Sequence, residues 1–152
     1  MNDHPKVIAL PPLIYFGFFC LGLILEFFWR TATFSLFLRF SIGPVLIGAA
    51  ISLGFQALRE FRRADTNVEV YKPATALITT GPYRFTRNPL YICLTLAYVG
   101  AALMADSLWV LALLIPVLLA IHYGVVLREE QYLMKKFGAA YRQYQKAVRR
   151  WL

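Results

Sequence analysis

Four long apolar runs, each bounded by polar or basic residues, leave this chain few ways to fold. They lie near Leu10–Phe28, Phe40–Leu58, Leu90–Ala105 and Leu108–Leu127. A helix needs about 20 apolar residues to cross a bilayer, and the third run is short by that measure. Backbone polar groups in hydrocarbon must be satisfied within the chain, which favours helices. The runs therefore predict an all-α, polytopic membrane helical bundle of about four transmembrane helices. A hydrophobic fraction of 59 % exceeds the roughly 45–50 % usual in soluble domains. Residues 1–152 read as a single membrane domain, with two transmembrane helices in 1–58 and the chemistry-bearing residues in 59–152.

The net charge is +8. The basic residues flank apolar runs, so anionic lipid and membrane topology explain them better than nucleic acid does. Arg59, Arg62, Arg63, Lys72, Arg84 and Arg87 stand between the second and third runs. Arg128, Lys135, Lys136, Arg142, Lys146, Arg149 and Arg150 follow the fourth, and Lys6 precedes the first. Only Arg30 and Arg39 fall in the other connections. With four spans, the two basic clusters and the N-terminus share one side, which the positive-inside rule makes cytoplasmic. The expected location is a multi-pass inner membrane with both termini in the cytoplasm. The start of the chain shows no cleavable signal, so the first run reads as a retained helix.

Asp106 and Ser107 alone separate the third and fourth runs, which predicts a tight helical hairpin. Ala97, Ala101 and Ala105 recur every four residues, a spacing that lets helices approach closely in lipid. Gly43, Gly48 and Gly54 offer the second helix a looser version. Beyond the fourth run, Leu133, Phe137, Ala140, Tyr141, Tyr144 and Val148 follow spacings of three and four, with most of the basic residues off that face. The tail thus reads as an amphipathic helix at the interface or docked on the bundle. Cys20 and Cys93 lie inside apolar runs and read as small buried residues.

Two polar constellations stand out. The first is Thr79-Thr80-Gly81-Pro82-Tyr83-Arg84-Phe85-Thr86-Arg87-Asn88-Pro89-Leu90-Tyr91. Gly81-Pro82 signals a turn, and Asn88-Pro89 reads as N-cap and first helical position. Arg84 and Arg87 beside a helix N-terminus make a place for a carboxylate or phosphate; they equally suit interfacial anchoring. The second is Arg128-Glu129-Glu130. Its carboxylates could take ribose hydroxyls or a cation, or form a solvated first helical turn. Tyr83, Tyr91, Tyr132, Tyr141 and Tyr144 accompany them, as cation-binding faces or as an aromatic belt. His122 and Glu26 lie within apolar runs. His122 reads as a packing residue, and Glu26 as reaching water at the far end. No His/Cys cluster has metal-ligand spacing.

Gly81-Pro82-Tyr83-Arg84 followed by Arg87-Asn88-Pro89-x-Tyr91 resembles the signature of isoprenylcysteine carboxyl methyltransferases and related phospholipid methyltransferases. Glu129-Glu130-x-x-Leu133, Phe137-Gly138, Tyr141, Tyr144 and the Arg150-Trp151 ending resemble that family's C-terminal pattern. The resemblance covers about Lys72 to Trp151. It implies S-adenosylmethionine as methyl donor, no metal, and a pocket built from both motifs. By this resemblance the expected catalytic residues are Arg87, Asn88 and Glu130. The expected cofactor-binding set is Gly81, Tyr83, Arg84, Arg87, Asn88, Pro89, Tyr91, Glu129, Glu130, Tyr141 and Tyr144. Prenylcysteine enzymes carry histidine where this chain has Asn88, a difference that bears on the acceptor.

The expected activity is therefore an integral membrane methyltransferase acting on a lipid-like or small carboxylate, thiol or amine acceptor. Its partners are the bilayer and that acceptor. Two alternatives remain at this point: an NADPH-dependent membrane lipid reductase, or a non-catalytic protein that keeps the fold.

Overall fold

The computed structural model describes residue 5 and residues 7–31, 34–68 and 72–151. Lys6, counted above with the basic residues, lies outside them. Among the described residues every regular element is helical: α1 (Pro11–Phe28), α2 (Gly43–Arg63), α3 (Pro89–Met104), α4 (Leu108–Ile121) and α5 (Leu127–Ala147). Wider π turns, Leu38–Ile42 and His122–Val126, run directly into α2 and join α4 to α5. Three of the continuous helices are long and apolar enough to cross a membrane, and α3 is a shorter apolar helix of 16 residues. This is the membrane helical bundle that the four runs predict.

The helix starts follow local chemistry. Proline occupies the first turn of α1 and α3, where its missing N–H breaks no helical bond, and Pro44 stands where the π turn gives way to α2. Ser107 caps α4, its hydroxyl accepting from the Val110 N–H at 3.2 Å. Asn88 holds the N-cap position of α3 but leaves that N-terminus without a side-chain bond, because its amide is engaged elsewhere.

The helices pair as α2 with α3 and α1 with α4. A Cβ on Gly100 would sit 2.8 Å from the Gly43 carbonyl, and one on Gly54 2.9 Å from the Cys93 sulfur, so α2 and α3 meet through these positions. Of the Ala97–Ala101–Ala105 stripe, Ala97 and Ala101 are half-buried and Ala105 is exposed. Gly48 faces open space. A buried cluster of Tyr15, Tyr98, Ala102, Val110, Val117 and Ile121 joins α1, α3 and α4. Its polar atoms are satisfied, with the Tyr98 hydroxyl donating to the Val110 carbonyl at 2.8 Å. Large apolar side chains such as Phe16, Phe27, Phe55 and Ile115 are at least two-thirds exposed, which suits a hydrocarbon surround.

The two ends of the bundle differ. At one end Glu26 accepts from the Thr31 N–H (2.7 Å), the Thr31 hydroxyl (2.6 Å) and the Ser107 hydroxyl (3.0 Å). Arg39 pairs with Asp106 at 2.9 Å. Glu26 lies at this far end, half-buried and tied into the α3–α4 turn. The other end carries the two polar constellations.

α5 departs most from its sequence reading. Arg150 Nε lies 2.9 Å from Glu130 Oε1, although twenty residues separate them. A straight helix would hold them about 30 Å apart. The reversal is at Gly138, whose φ of 51° and ψ of −116° suit glycine alone. The expected amphipathic face is therefore cut in two. Tyr141 and Tyr144 are buried against the bundle, Ala140 is exposed, and Lys135, Lys136, Arg142, Lys146 and Arg149 all face out. The tail docks on the bundle by folding back over it.

Candidate active site

The cleft begins at the end of α2. Glu60 is buried there and accepts a hydrogen bond from the Thr80 hydroxyl and another from Arg63 at 2.9 Å. The turn Gly81–Arg84 lies against it. Gly81 has φ +58°, and a Cβ there would fall 2.8 Å from Glu60 Cγ. The turn presents Tyr83 inward, edge-on to Phe61 with ring centres 5.9 Å apart. Loss of hydration pushes the Tyr83 hydroxyl well above the ordinary tyrosine range.

The folded-back tail closes the other side. The Arg87 N–H donates to the Arg149 carbonyl at 2.9 Å, and Thr86 and Arg149 form an isolated parallel bridge. The Arg150 carbonyl accepts from the Thr86 hydroxyl at 3.1 Å and from Asn88 Nδ2 at 2.9 Å. The Tyr144 hydroxyl donates to the Tyr83 carbonyl at 2.7 Å. Trp151 packs on the central cluster and tilts over the His122 ring at 6.2 Å. His122 is thus in aromatic packing, as its sequence setting indicates.

The charged centre joins both constellations. Arg87 Nη1 lies 2.9 Å from Glu130 Oε1. Arg150 forks onto the same carboxylate, Nε to Oε1 and Nη2 to Oε2, each at 2.9 Å. The Arg87 contact is close but misdirected: its Nε and Nη1 are buried and donate no hydrogen bond. Glu129 accepts from the Tyr91 hydroxyl at 2.8 Å. The apolar stretch of the fourth helix ends at Leu127, so Glu129 lies beyond it. Loss of hydration in the cleft pushes its carboxyl up to about 7; the Tyr91 bond opposes this and the charge of Glu130 adds to it.

Of the expected residues, Tyr83, Arg87, Asn88, Tyr91, Glu129, Glu130, Tyr141 and Tyr144 line one cleft. Gly81 and Pro89 shape it from behind, as turn and helix start. Arg84 is exposed and outside it, which leaves Arg87 as the arginine of the pair that faces the cleft. The cleft is open at its mouth and has a cavity volume of about 150 Å³. Phe61, Val68, Leu77, Ile78, Leu90 and Leu133 give it an apolar lining. Sequence reasoning passed over this lining, Glu60, and Arg150 as a site residue. Arg150 stood within the recognised ending, but nothing in its spacing reveals the fold-back that delivers it.

Comparison with known proteins gives the family. The phospholipid methyltransferase family model matches residues 38–140, and the chain belongs to that family. It is 37 % identical over 65 residues to the nickel-cobalt-cadmium resistance protein NccN of Alcaligenes xylosoxydans xylosoxydans, covering 43 % of this chain and 30 % of that protein. It is 36 % identical over 61 residues to the cobalt-zinc-cadmium resistance protein CzcN of Cupriavidus metallidurans, covering 40 % and 28 %. The chain thus spans under a third of the length of the curated relatives it matches. No solved structure matches it.

Proposed function

We propose that the chain is an S-adenosylmethionine-dependent methyltransferase whose site is the cleft between the Gly81–Tyr91 segment and the folded-back α5. The observation that carries this is the convergence of Arg87, Glu129 and Glu130 with Tyr83, Tyr91, Tyr141 and Tyr144 on one cavity. The chemistry of the donor suits these residues. Its carboxylate matches the buried Arg87 Nε and Nη1, which make no aligned hydrogen bond although Nη1 stands 2.9 Å from Glu130. Its positive charges match Glu129 and the tyrosine faces.

When bound, S-adenosylmethionine supplies an activated methyl group for in-line displacement. Arg87 holds the anionic end of the ligand, and Glu129 balances its cationic part. Asn88, fixed through its amide to the strap at Arg150, keeps Arg87 and Tyr91 in register. Tyr83 and Tyr144 close the wall against water. Such positioning supplies roughly 7–11 kcal/mol of a bimolecular barrier. The apolar lining suits an acceptor with a hydrocarbon portion, lipid-like or small.

The basic residues around this mouth support a cytoplasmic placement of the site and of both termini in an inner membrane. The donor then enters from the aqueous side and a lipophilic acceptor from the bilayer. The test is transfer of labelled methyl from S-adenosylmethionine into a total lipid and metabolite extract. Wild-type protein is expected to label an extractable product and Arg87→Ala is not. No label with the wild type, together with no calorimetric binding at millimolar donor, overturns the assignment.

A further inference from the structure

Glu130 stands between two arginines that treat it differently. Arg150 reaches it through a fork, and each carboxylate oxygen accepts an N–H at 2.9 Å. Arg87 comes as near, at 2.9 Å to Oε1, but without an aligned N–H. The side chains of Arg87 and Glu130 are both about one-tenth exposed. A buried guanidinium whose Nε and Nη1 make no aligned hydrogen bond is costly, and the carboxylate already paired with it is the obvious acceptor. That acceptor is held in another direction by Arg150.

We propose that Arg150 is a positioning residue: by occupying both oxygens of Glu130 it keeps that carboxylate from turning onto Arg87, and so reserves the Arg87 donors for an anionic group of the ligand. This rests on reading the cleft as the donor-binding site, with the donor's carboxylate as that anion. Without Arg150, Glu130 rotates to satisfy Arg87, and the resulting internal pair competes with the ligand. The planar fork matters: a lysine at 150 restores the charge but not the two-point grip.

The consequence differs from that of a plain structural strap. If Arg150 acts through Glu130, its removal is harmful only while Glu130 is a carboxylate. A strap would be missed equally with or without it. A double-mutant cycle separates the two.

The experiment uses the full chain in detergent as wild type, R150A, R150K, E130Q and R150A/E130Q. Affinity for S-adenosylhomocysteine, the demethylated donor that keeps the carboxylate, is measured by calorimetry. R150A is expected to weaken binding about tenfold, R150K by less, and R150A/E130Q is expected to match E130Q within about twofold. A second reading needs no ligand: the rate at which phenylglyoxal modifies Arg87, followed by peptide mass spectrometry. It is expected to slow in R150A, as Glu130 covers Arg87, and to recover in R150A/E130Q. Should R150A fail to fold, R150K, E130Q and R150K/E130Q close the same cycle. Equal loss of affinity in the presence and absence of the Glu130 carboxylate, or an unchanged Arg87 modification rate in R150A, overturns the proposal. Wild-type protein that binds no S-adenosylhomocysteine defeats the proposed function, while the modification rates still decide the role of Arg150.

Discussion

The Tyr91 hydroxyl on α3 donates to Glu129 Oε1 on α5 at 2.8 Å, joining the two sequence constellations through one hydrogen bond. The bond favours the ionised carboxyl, whereas loss of hydration and the charge of Glu130 favour the protonated one, and the balance falls at about 7. Above that value Glu129 carries the charge that a cationic ligand needs. Affinity for S-adenosylmethionine is therefore expected to rise from about pH 6 to about pH 8 and then level off. Tyr91→Phe removes the opposing bond and moves the rise to higher pH. Calorimetric titrations across this range check both, and a flat wild-type profile refutes the assignment of Glu129.

The ligand-free protein is expected to show the opposite trend. An unfolded chain ionises Glu129 near the ordinary value of 4.5, while the fold holds the proton up to about 7. A group raised in this way destabilises the fold increasingly as pH climbs through that interval. The melting temperature of the wild type is thus expected to fall relative to that of Glu129→Gln between about pH 5 and about pH 7. Parallel melting curves would show that Glu129 is hydrated in the absence of ligand.

Arg87→Ala is expected to lower affinity for the donor by roughly tenfold to a hundredfold, the worth of a charge-assisted hydrogen bond of about 1.5–3 kcal/mol. Arg84→Ala is expected to change it little, because Arg84 is exposed and outside the cleft. Equal losses in the two proteins would mean that electrostatic attraction at the surface, and not a clamp in the cleft, governs binding.

Gly138→Ala tests the reversal of α5. Its φ of 51° with ψ of −116° is strained for any residue with a Cβ, at a cost of about 1–3 kcal/mol. Nothing lies within 4 Å of the missing Cβ, so the penalty comes from the backbone and not from a clash. The variant is expected to melt at a lower temperature. Spin labels at Lys135 and Lys146 are expected to report longer distances as α5 straightens. Unchanged distances would locate the reversal elsewhere.

Ser107→Ala addresses the opposite end. Ser107 is fully buried, caps α4 and donates to Glu26. Its loss is expected to destabilise the bundle by about 1–2 kcal/mol while leaving donor affinity intact, because the cleft lies at the other end. Thermal melts alongside calorimetry would separate the two effects.

What the sequence revealed and what it hid divide along physical lines. Burial in lipid demands length and apolarity, so the helices stand near the boundaries that the runs define. The convergence of the Arg87 segment with Glu129 and Glu130 was legible through the family resemblance. The fates of Arg84 and Arg87 were not, because both are basic, three residues apart, and split only by the tight turn that begins at Gly81. The alanine stripe did not single out Gly100, where α3 comes closest to the Gly43 carbonyl of α2. Asn88 looked like a cap because its position is one, but the Arg150 carbonyl claims its amide. Gly138 hid the most: a single glycine in a polar helix carries no periodic signal, yet it decides where Arg150 and Trp151 end up.

The pairing of Thr86–Asn88 with Arg149 and Arg150 has a consequence for handling the protein. Those strap residues lie beyond the last helical turn, where a trimming carboxypeptidase or a shortened clone removes them without touching α1 to α5. Such a product would keep its circular dichroism spectrum and its place in the bilayer, and would look sound by every measure of helix content. It would have lost the backbone and side-chain bonds that hold Thr86, Arg87 and Asn88 to the tail, and the fork on Glu130.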